Sequence, residues 1–201
     1  MHAMSTAVLP SPLVLGANGL IHQLQQLYRQ LMIVRVDFLM REEYQQQTSI
    51  FDIHAYRARL WNNRRSKSSI FQHCLGWIWG LEWTMDCGYH LHCLFIFNGR
   101  AVQQDITYGD LIGNYWVNTI TQGKGCYHNC NRYKDDYRYN GIGKVHVNDA
   151  EKLANLQHYV IPYLAKEDLL IRAAMQRDGA ALGFDVSHIR TFGYSNNFAF
   201  D

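Results

Sequence analysis

The sequence predicts an α+β fold in which helices pack against an antiparallel sheet. Three observations support this class. Residues 77–97, WIWGLEWTMDCGYHLHCLFIF, place aromatic and aliphatic side chains on both sides of a short turn, which is typical of a β-hairpin. Segments with helical and strand-like spacing alternate around this hairpin. The 201 residues are 48% hydrophobic, which is enough to bury the core of a single domain over residues 1–201.

The individual elements follow from the spacing of apolar residues along the chain. Residues 1–17 are expected to form a loosely ordered lead-in, 122–141 a long loop, and 171–201 a C-terminal extension without clear periodicity. Strands are predicted over residues 32–39, 77–84, 90–97 and 142–147. Helices are predicted over residues 18–31, 51–62 and 107–121, and from a cap at Asn148 or Asp149 to about Leu170.

From residue 32 onward, the predicted order is strand, helix, strand, strand, helix, strand, helix. This is the order of the split βαβ (RRM/ferredoxin-like) arrangement, an antiparallel sheet with helices on one face. The apolar face of the hairpin is expected to lie beneath those helices. The last helix is then free to lie across the other, open face.

The hairpin turn decides which side chains share that open face. With Asp86-Cys87-Gly88 as a three-residue loop, Thr84 pairs with His90 and Glu82 pairs with His92. Because side chains alternate along a strand, both histidines and Glu82 then lie on the open face. Two imidazoles and a carboxylate can bind a divalent metal and leave positions open for a substrate. The alternative is a pair of core histidines that only make hydrogen bonds.

The last predicted helix contains the sequence YVIPYLAK. Tyr159, Tyr163 and Lys166 are spaced by four and three residues, so they share one helical face. A tyrosine next to a lysine and near a metal can attack phosphorus, since the metal polarises the phosphate and the lysine offsets negative charge. Alternatively, both tyrosines are core residues and the lysine is solvated. Pro162 lacks the N–H that would bond to the His158 carbonyl, so the helix is expected to kink or restart there.

Composition and charge restrict the class of protein further. The formal net charge of +2 permits nucleic-acid binding without requiring it. The sequence shows no secretory signal and no apolar run long enough to span a bilayer. Five irregularly spaced cysteines are therefore interpreted as reduced thiols in a cytoplasm.

The histidine and tyrosine motifs also carry a resemblance to a known family. HLH at 90–92 resembles the His-hydrophobic-His motif of HUH single-strand endonucleases, and YxxxYxxK at 159–166 resembles the nucleophile helix of rolling-circle replication initiators. More narrowly, the chain is similar to the inovirus replication protein family, which groups filamentous-phage initiators with YagK/YfjJ-type prophage proteins. The similar stretches, between about residue 30 and the end, are VRVDF (34–38), GLEWT (80–84), GYHLHCLFIF (88–97), YW (115–116), YLAK (163–166) and RTFGYS (190–195).

The resemblance implies a metal-dependent nickase that initiates rolling-circle replication of a phage, prophage or plasmid. Such an enzyme cuts one DNA strand at an origin, keeps the 5′ end as a phosphotyrosine and leaves a 3′-hydroxyl as primer. Carried over by position, the implied roles are metal ligation by Glu82, His90 and His92, nucleophilic attack by Tyr163, assistance by Lys166 and a second nucleophile at Tyr159. The implied ion is Mg²⁺ or Mn²⁺, with Zn²⁺ also compatible with histidine ligands.

The same resemblance predicts partners and a location. The substrate would be single-stranded DNA at a replication origin in the cytoplasm of a bacterial host, with no membrane involved. GIGK at 141–144 lacks the spacing of a P-loop, so a separate helicase or supercoiling would open the duplex. Phosphate contacts are expected from Arg64, Arg65 and Lys67 or from loop 122–141, although an ordinary solvated loop explains these charges as well.

Three other functions remain open from the sequence. A transposase or conjugative relaxase of the HUH class would share the chemistry and differ in biology. A DNA-binding regulator without catalysis would need no phenol near a metal. A structural zinc domain could use Cys126, His128 and Cys130, although CxxxC without a second pair is poor zinc-finger spacing.

Overall fold

The computed structural model describes residues 11–166 and 169–195, and these form an α+β fold around a six-stranded antiparallel sheet. The strands are β1 (Gln30–Met40), β2 (Cys74–Thr84), β3 (Gly88–Asn98), β4 (Gly125–Asn129), β5 (Gly143–His146) and β6 (Phe192–Tyr194). The α-helices are α1 (Pro12–Leu27), α2 (Glu42–Gln45), α3 (Ile50–Asn63), α4 (Ser68–Phe71), α5 (Asp105–Tyr115), α6 (Ala150–Asn155), α7 (Ile161–Leu164) and α8 (Leu169–Leu182). Two π-helical turns, Trp116–Ile120 and Leu156–Val160, continue α5 and α6.

The strand order places β1 and β3 in the middle of the sheet. The order is β4-β1-β3-β2-β6, and β5 also pairs with β1. β4 lies beside residues 36–40 of β1, whereas β5 lies beside residues 30–33 of the same strand. Side chains from the middle of β3 are therefore surrounded by strands on both sides, and they have neighbours at fixed distances.

The β2–β3 hairpin differs in register from the prediction. The three-residue turn is Met85-Asp86-Cys87, so Thr84 pairs with Gly88 and Glu82 lies opposite His90, not His92. Gly88 has a φ of 63°, a conformation that glycine adopts without steric cost, and this favours it as the residue that starts β3. The shift is two residues, which is one full period of the strand, so Glu82 stays on the predicted face.

The face of the hairpin that was expected to be apolar lies largely beneath helices. Its side chains belong to a core with α3, α5 and α8 above them, and the hairpin members of this core include Trp79, Leu81, Leu91, Cys93, Phe95 and Phe97. Trp77 and Trp83 pack against the edge of this cluster. This part of the prediction is confirmed.

The opposite face is not open along its whole length. Leu31, Ile33, Ile78, Leu94 and Ile96 form a second core there, covered by residues of α1 and of the helix that contains α6 and α7. Helices therefore lie on both faces of the sheet. The sequence-based expectation placed only the last helix on this face and did not include α1.

Several boundaries also differ. α1 begins at Pro12 with Ser11 as its cap, whereas residues up to 17 were expected to be loosely ordered. β4 lies inside the segment predicted as a loop, and the helix predicted over residues 107–121 is α5 with the π-helical turn that follows it. The last predicted helix ends at Leu164, and the unassigned tail contributes α8 and β6.

The other parts of the predicted lead-in and tail, residues 1–10 and 196–201, lie outside the described residues. Within the part that the structure describes, no helix combines the length and apolar character needed to cross a membrane.

Candidate metal centre

Three side chains of β2 and β3 meet on the face of the sheet that the second core covers only in part. Glu82, His90 and His92 each offer a ligand atom, and these atoms lie within 4.8 Å of one another. The Glu82 Oε2 atom is 2.9 Å from Nε2 of His92 and 3.4 Å from Nε2 of His90. Among the described residues, this is the one group of three His, Cys, Asp or Glu side chains close enough to hold a metal ion. The three side chains predicted to share one face therefore lie close together, and they could hold a metal ion.

Hydrogen bonds on the far side of each imidazole fix the direction of its Nε2 atom. Nδ1 of His90 lies 3.1 Å from the carbonyl oxygen of Gly88, and Nδ1 of His92 lies 3.0 Å from Oδ2 of Asp37. Because both oxygens act as acceptors, each Nδ1 carries the proton and donates it. The Nε2 lone pair of His90 can then face a metal, and Nε2 of His92, which donates a hydrogen bond to Glu82 here, can do the same once it loses that proton.

Asp37 is held in place by its own strand. It pairs with His92 across the β1–β3 ladder, and Arg35 donates from Nε and from a terminal nitrogen to its two oxygens, both at 3.1 Å. Burial would raise the pKa of Asp37, but the hydrogen bond from His92 and the charge of Arg35 outweigh it and lower the pKa well below its ordinary value. The Asp37 carboxylate is therefore charged when it orients His92.

No role was predicted for Arg35 or Asp37, although both lie in the VRVDF stretch. Their alternation, Arg-x-Asp within an apolar strand, places both on one face of β1. Charged residues are rarely buried unless they are paired. That signal could have indicated a buried ion pair facing the same side as the histidines.

The three candidate ligands differ in protonation. The hydrogen bond from His92 lowers the pKa of Glu82 to about 2. Burial lowers the pKa of His90 below its ordinary value. Burial acts in the same direction on His92, but hydrogen bonds to Asp37 and Glu82 outweigh it, so the pKa of His92 is raised. One fixed anion and two oriented imidazoles suit a divalent cation, and ligands from one side only leave its other positions open.

The helix that contains Tyr159 and Tyr163 continues through Pro162 without a break. We call residues 150–164, comprising α6, the π-helical turn and α7, the tyrosine helix. Asp149 caps it by accepting a hydrogen bond from the backbone N–H of Lys152, and Val160 and Ile161 keep helical dihedrals. The predicted break is instead a widened π-helical turn just before the proline, a feature often found at functional sites.

A glycine lets this helix approach the sheet. Gly80 lies opposite His92, and a Cβ atom there would be 1.9 Å from the carbonyl oxygen of Leu164. Any side chain at this position would therefore collide with the backbone of α7. Gly80 thus lets the end of the tyrosine helix lie close to Glu82, His90 and His92.

The two tyrosines of the helix have different neighbours. The Tyr163 ring lies 5.3 Å from the His92 ring, between centroids, and Cζ of Arg35 lies 4.9 Å from the Tyr163 centroid. Tyr159 stacks on Tyr139, with centroids 3.6 Å apart and nearly parallel planes. Lys166 is exposed just beyond the helix, where its backbone N–H donates to the Tyr163 carbonyl. The cation closest to the Tyr163 ring in these contacts is Arg35.

A cleft of about 240 Å³ adjoins Tyr163. Tyr137, Arg138 and Tyr139 from the predicted loop line it together with Tyr159. Of the other expected DNA contacts, Arg64 packs over the ring of Trp77, and Arg65 and Lys67 are exposed.

The cysteine-rich segment forms no comparable site. His128 stacks on Tyr133, and Cys130 is buried in the second core. Cys126, His128 and Cys130 do not form a group of converging ligands in the described residues. A structural zinc site at these positions is therefore not supported.

Comparisons with known proteins identify no relative of this chain. No family model, no curated protein and no solved structure matches this chain. The family resemblance of the short motifs therefore remains a prediction, and function is inferred from the geometry of the site.

Proposed function

We propose that this protein is a metal-dependent single-strand DNA nickase of the HUH class, which initiates rolling-circle replication of a phage, prophage or plasmid through a 5′-phosphotyrosine. The observation that carries the proposal is the position of Tyr163 beside the Glu82–His90–His92 cluster. A phenol, a divalent cation site and a nearby guanidinium together supply a nucleophile and two sources of positive charge for a phosphate. The split βαβ order of the predicted elements, with which the β4-β1-β3-β2 order is compatible, supports the same class.

Glu82, His90 and His92 would hold Mg²⁺ or Mn²⁺, the ions that suit phosphate chemistry with open coordination positions. When bound, the ion supplies a Lewis acid that polarises the scissile phosphate. The hydrogen bonds of Asp37 and Gly88 would keep both imidazoles directed toward it.

The protein's own chemistry centres on the Tyr163 phenol. Burial raises the pKa of Tyr163, so the phenol keeps its proton in the free protein at neutral pH. In the cleavage step the phenol oxygen loses that proton and bonds to phosphorus, the P–O3′ bond breaks, and the 3′ oxygen takes up a proton. The Arg35 guanidinium lies next to the ring and favours the negative charge that develops on it. Lys166 would approach the same phosphate from the end of the helix.

The cleft next to Tyr163 would hold the DNA strand. Its tyrosine rings provide stacking surfaces for bases, and Arg138 provides charge for a phosphate. Because Tyr159 stacks on Tyr139, we assign it first to this surface and only second to a role as an additional nucleophile. The partners would be single-stranded origin DNA and a separate helicase in a bacterial cytoplasm.

The test is formation of a covalent protein–DNA adduct. The protein is incubated with origin-bearing single-stranded DNA and Mn²⁺ or Mg²⁺, and the products are separated under denaturing conditions. We expect a slowly migrating band that disappears with EDTA and in His90→Ala, while circular dichroism shows that His90→Ala remains folded. An adduct that forms equally well in His90→Ala or with EDTA would contradict the proposed metal-dependent mechanism.

The same assay separates the alternatives. A DNA-binding regulator would bind the strand without forming an adduct under any metal condition. A transposase or relaxase would form the adduct but on a different DNA sequence, so only the biological role in the proposal would change.

A further inference from the structure

A second cleft lies on the opposite face of the sheet from the metal centre. It has a volume of about 520 Å³, within the range of small-molecule sites, and lies between α3, β2 and β6. Its walls include Arg57 and Trp61 from α3, Trp77 and Trp79 from β2, and Arg190 from the segment before β6. Trp77 and Trp79 alternate with the residues of β2 that face the metal centre, so this cleft is separate from the proposed catalytic site.

The cleft carries positive charge that the described chain does not neutralise. Arg57 is half-buried, with its Cζ 3.9 Å from the centroid of Trp79, and it makes no ion pair with a carboxylate in residues 11–166 or 169–195. Its terminal nitrogen contacts Nδ1 of His54 at 3.1 Å, whereas its Nε has no hydrogen-bond partner. None of the residues lining the cleft is acidic, and Arg190 adds a second guanidinium.

Arg35, on the other face of the sheet, is a comparable arginine that does have a carboxylate partner. Arg35 is also half-buried, and Asp37 accepts two hydrogen bonds from it. Burial and the charge of Arg190 lower the pKa of Arg57, as expected for a cation without a counterion. Buried charges are normally paired, so the cleft has the character of a site for an external anion.

The rest of the cleft suits a flat ring. Trp61 stacks on Trp77 with centroids 5.3 Å apart, and Arg64 covers Trp77 with its Cζ 4.1 Å from the centroid. The indole N–H of Trp61 is buried and has no hydrogen-bond partner. Because Trp61 and Arg64 cover Trp77, this aromatic wall offers apolar contact for a base beside the phosphate site, and the buried Trp61 N–H can donate only when the wall opens slightly.

We propose that this cleft is a nucleotide site, in which Arg57 and Arg190 bind a phosphate and the Trp61–Trp77 wall contacts the attached base. The nucleotide is either one unit of a single strand or a free nucleotide. The site goes beyond the proposed nicking activity, since it needs neither metal nor Tyr163.

The test follows the indole N–H signals of the full chain in ¹H–¹⁵N spectra recorded with EDTA. The probes are thymidine 5′-monophosphate, an oligothymidylate of about ten nucleotides and inorganic phosphate. Titration with the monophosphate should shift the signals of Trp61 and Trp77 and leave that of Trp116, which is buried elsewhere in the core, unchanged. Much tighter binding of the oligonucleotide identifies a strand as the ligand, and equal affinity per site identifies a free nucleotide.

Arg57→Met and Arg190→Ala should each weaken nucleotide binding by roughly tenfold, because each removes a charged hydrogen-bond donor. Arg29→Ala is the matched control, since Arg29 is exposed and outside the lining. Arg190 is also exposed, so its variant tests the site even if Arg57→Met fails to fold. Unshifted Trp61 and Trp77 signals, unchanged affinity in Arg190→Ala, or inorganic phosphate binding as tightly as the nucleotide would overturn the proposal. Because no metal is present, these results are independent of whether the protein nicks DNA.

Discussion

Tyr159 and Tyr163 lie one turn apart on the tyrosine helix and expose nearly the same fraction of their surface, 46% and 47%. Their surroundings nevertheless differ. Tyr163 contacts the ring of a proposed metal ligand, His92, and the guanidinium of Arg35. Tyr159 contacts the ring of Tyr139 in the adjoining cleft. Spacing and exposure thus do not distinguish the two phenols, whereas the charged groups next to each one do.

The largest effect should come from Tyr163→Phe. Removing the phenol oxygen removes the proposed nucleophile, so adduct formation on single-stranded DNA should fall by several orders of magnitude, as when other catalytic nucleophiles are removed. Tyr159→Phe is the matched control and should retain most of the adduct. Full yield from Tyr163→Phe with loss in Tyr159→Phe would reverse the assignment, and loss only in the double variant would make the two phenols interchangeable.

The second effect concerns the support of His92 by Asp37. Asp37→Asn keeps the size of the side chain but removes the charge that orients the imidazole, and changes to such outer partners typically cost 10–100-fold in metal affinity. Calorimetric titration with Mn²⁺ would measure the change. Asp135→Asn, at an exposed position, should bind as the natural chain does. Equal affinities for both variants would show that Asp37 does not act through the metal site.

A third variant tests what holds Tyr163 near the sheet. Gly80→Ala places a Cβ against the Leu164 carbonyl, so α7 must move, and we expect a loss of about 1–3 kcal/mol in the free energy of unfolding together with slower adduct formation. Gly19→Ala is the control, because nothing lies within 4 Å of its Cβ position inside α1, and it should stabilise by roughly 0.5–1 kcal/mol. Urea unfolding measures both. Unchanged stability in Gly80→Ala would mean that the helix end adjusts freely.

The smallest effect on DNA binding or cleavage should come from Tyr159, which lines the cleft next to Tyr163. Tyr159→Ala removes a stacking ring, which should weaken single-strand binding by roughly tenfold, while Tyr159→Phe should change it by no more than about twofold. Fluorescence anisotropy with labelled single-stranded DNA measures both affinities. A loss in Tyr159→Phe as large as in Tyr159→Ala would show that the hydroxyl, and not the ring, is the important group.

Much of the candidate site could be predicted from local sequence. The period of two along a strand placed Glu82, His90 and His92 together even though the turn was assigned one residue too late at each end, because the resulting error equals one full period. The helical spacing of Tyr159 and Tyr163 was likewise sufficient to place both on the tyrosine helix. An error of one full period in a repeating pattern leaves the predicted face of each residue unchanged.

The residues that support the site were harder to predict, since their roles depend on pairing between distant strands. Asp37 reaches His92 only because β1 pairs with β3 in one register. Gly80 matters only because Leu164 approaches it. β4 was missed because Gly125–Asn129 is short and lies in a stretch rich in turn-forming residues. α1 begins earlier than residue 18, where the helix was predicted to start, because Ser11 caps it and Pro12 suits its first turn.

The π-helical turn before Pro162 has a consequence for how the length of this chain can vary. Such a turn holds one residue more than an α-helical turn, and each residue of an α-helix advances the direction of its side chain by about 100°. Deleting a single residue between 156 and 160 would restore a regular helix but would rotate α7 against α6. Tyr163 would then turn away from His92, or α6 would leave its place on the sheet. The number of residues in this segment therefore sets the direction of Tyr163, and chains that share this site should preserve it even where the surrounding helix changes sequence.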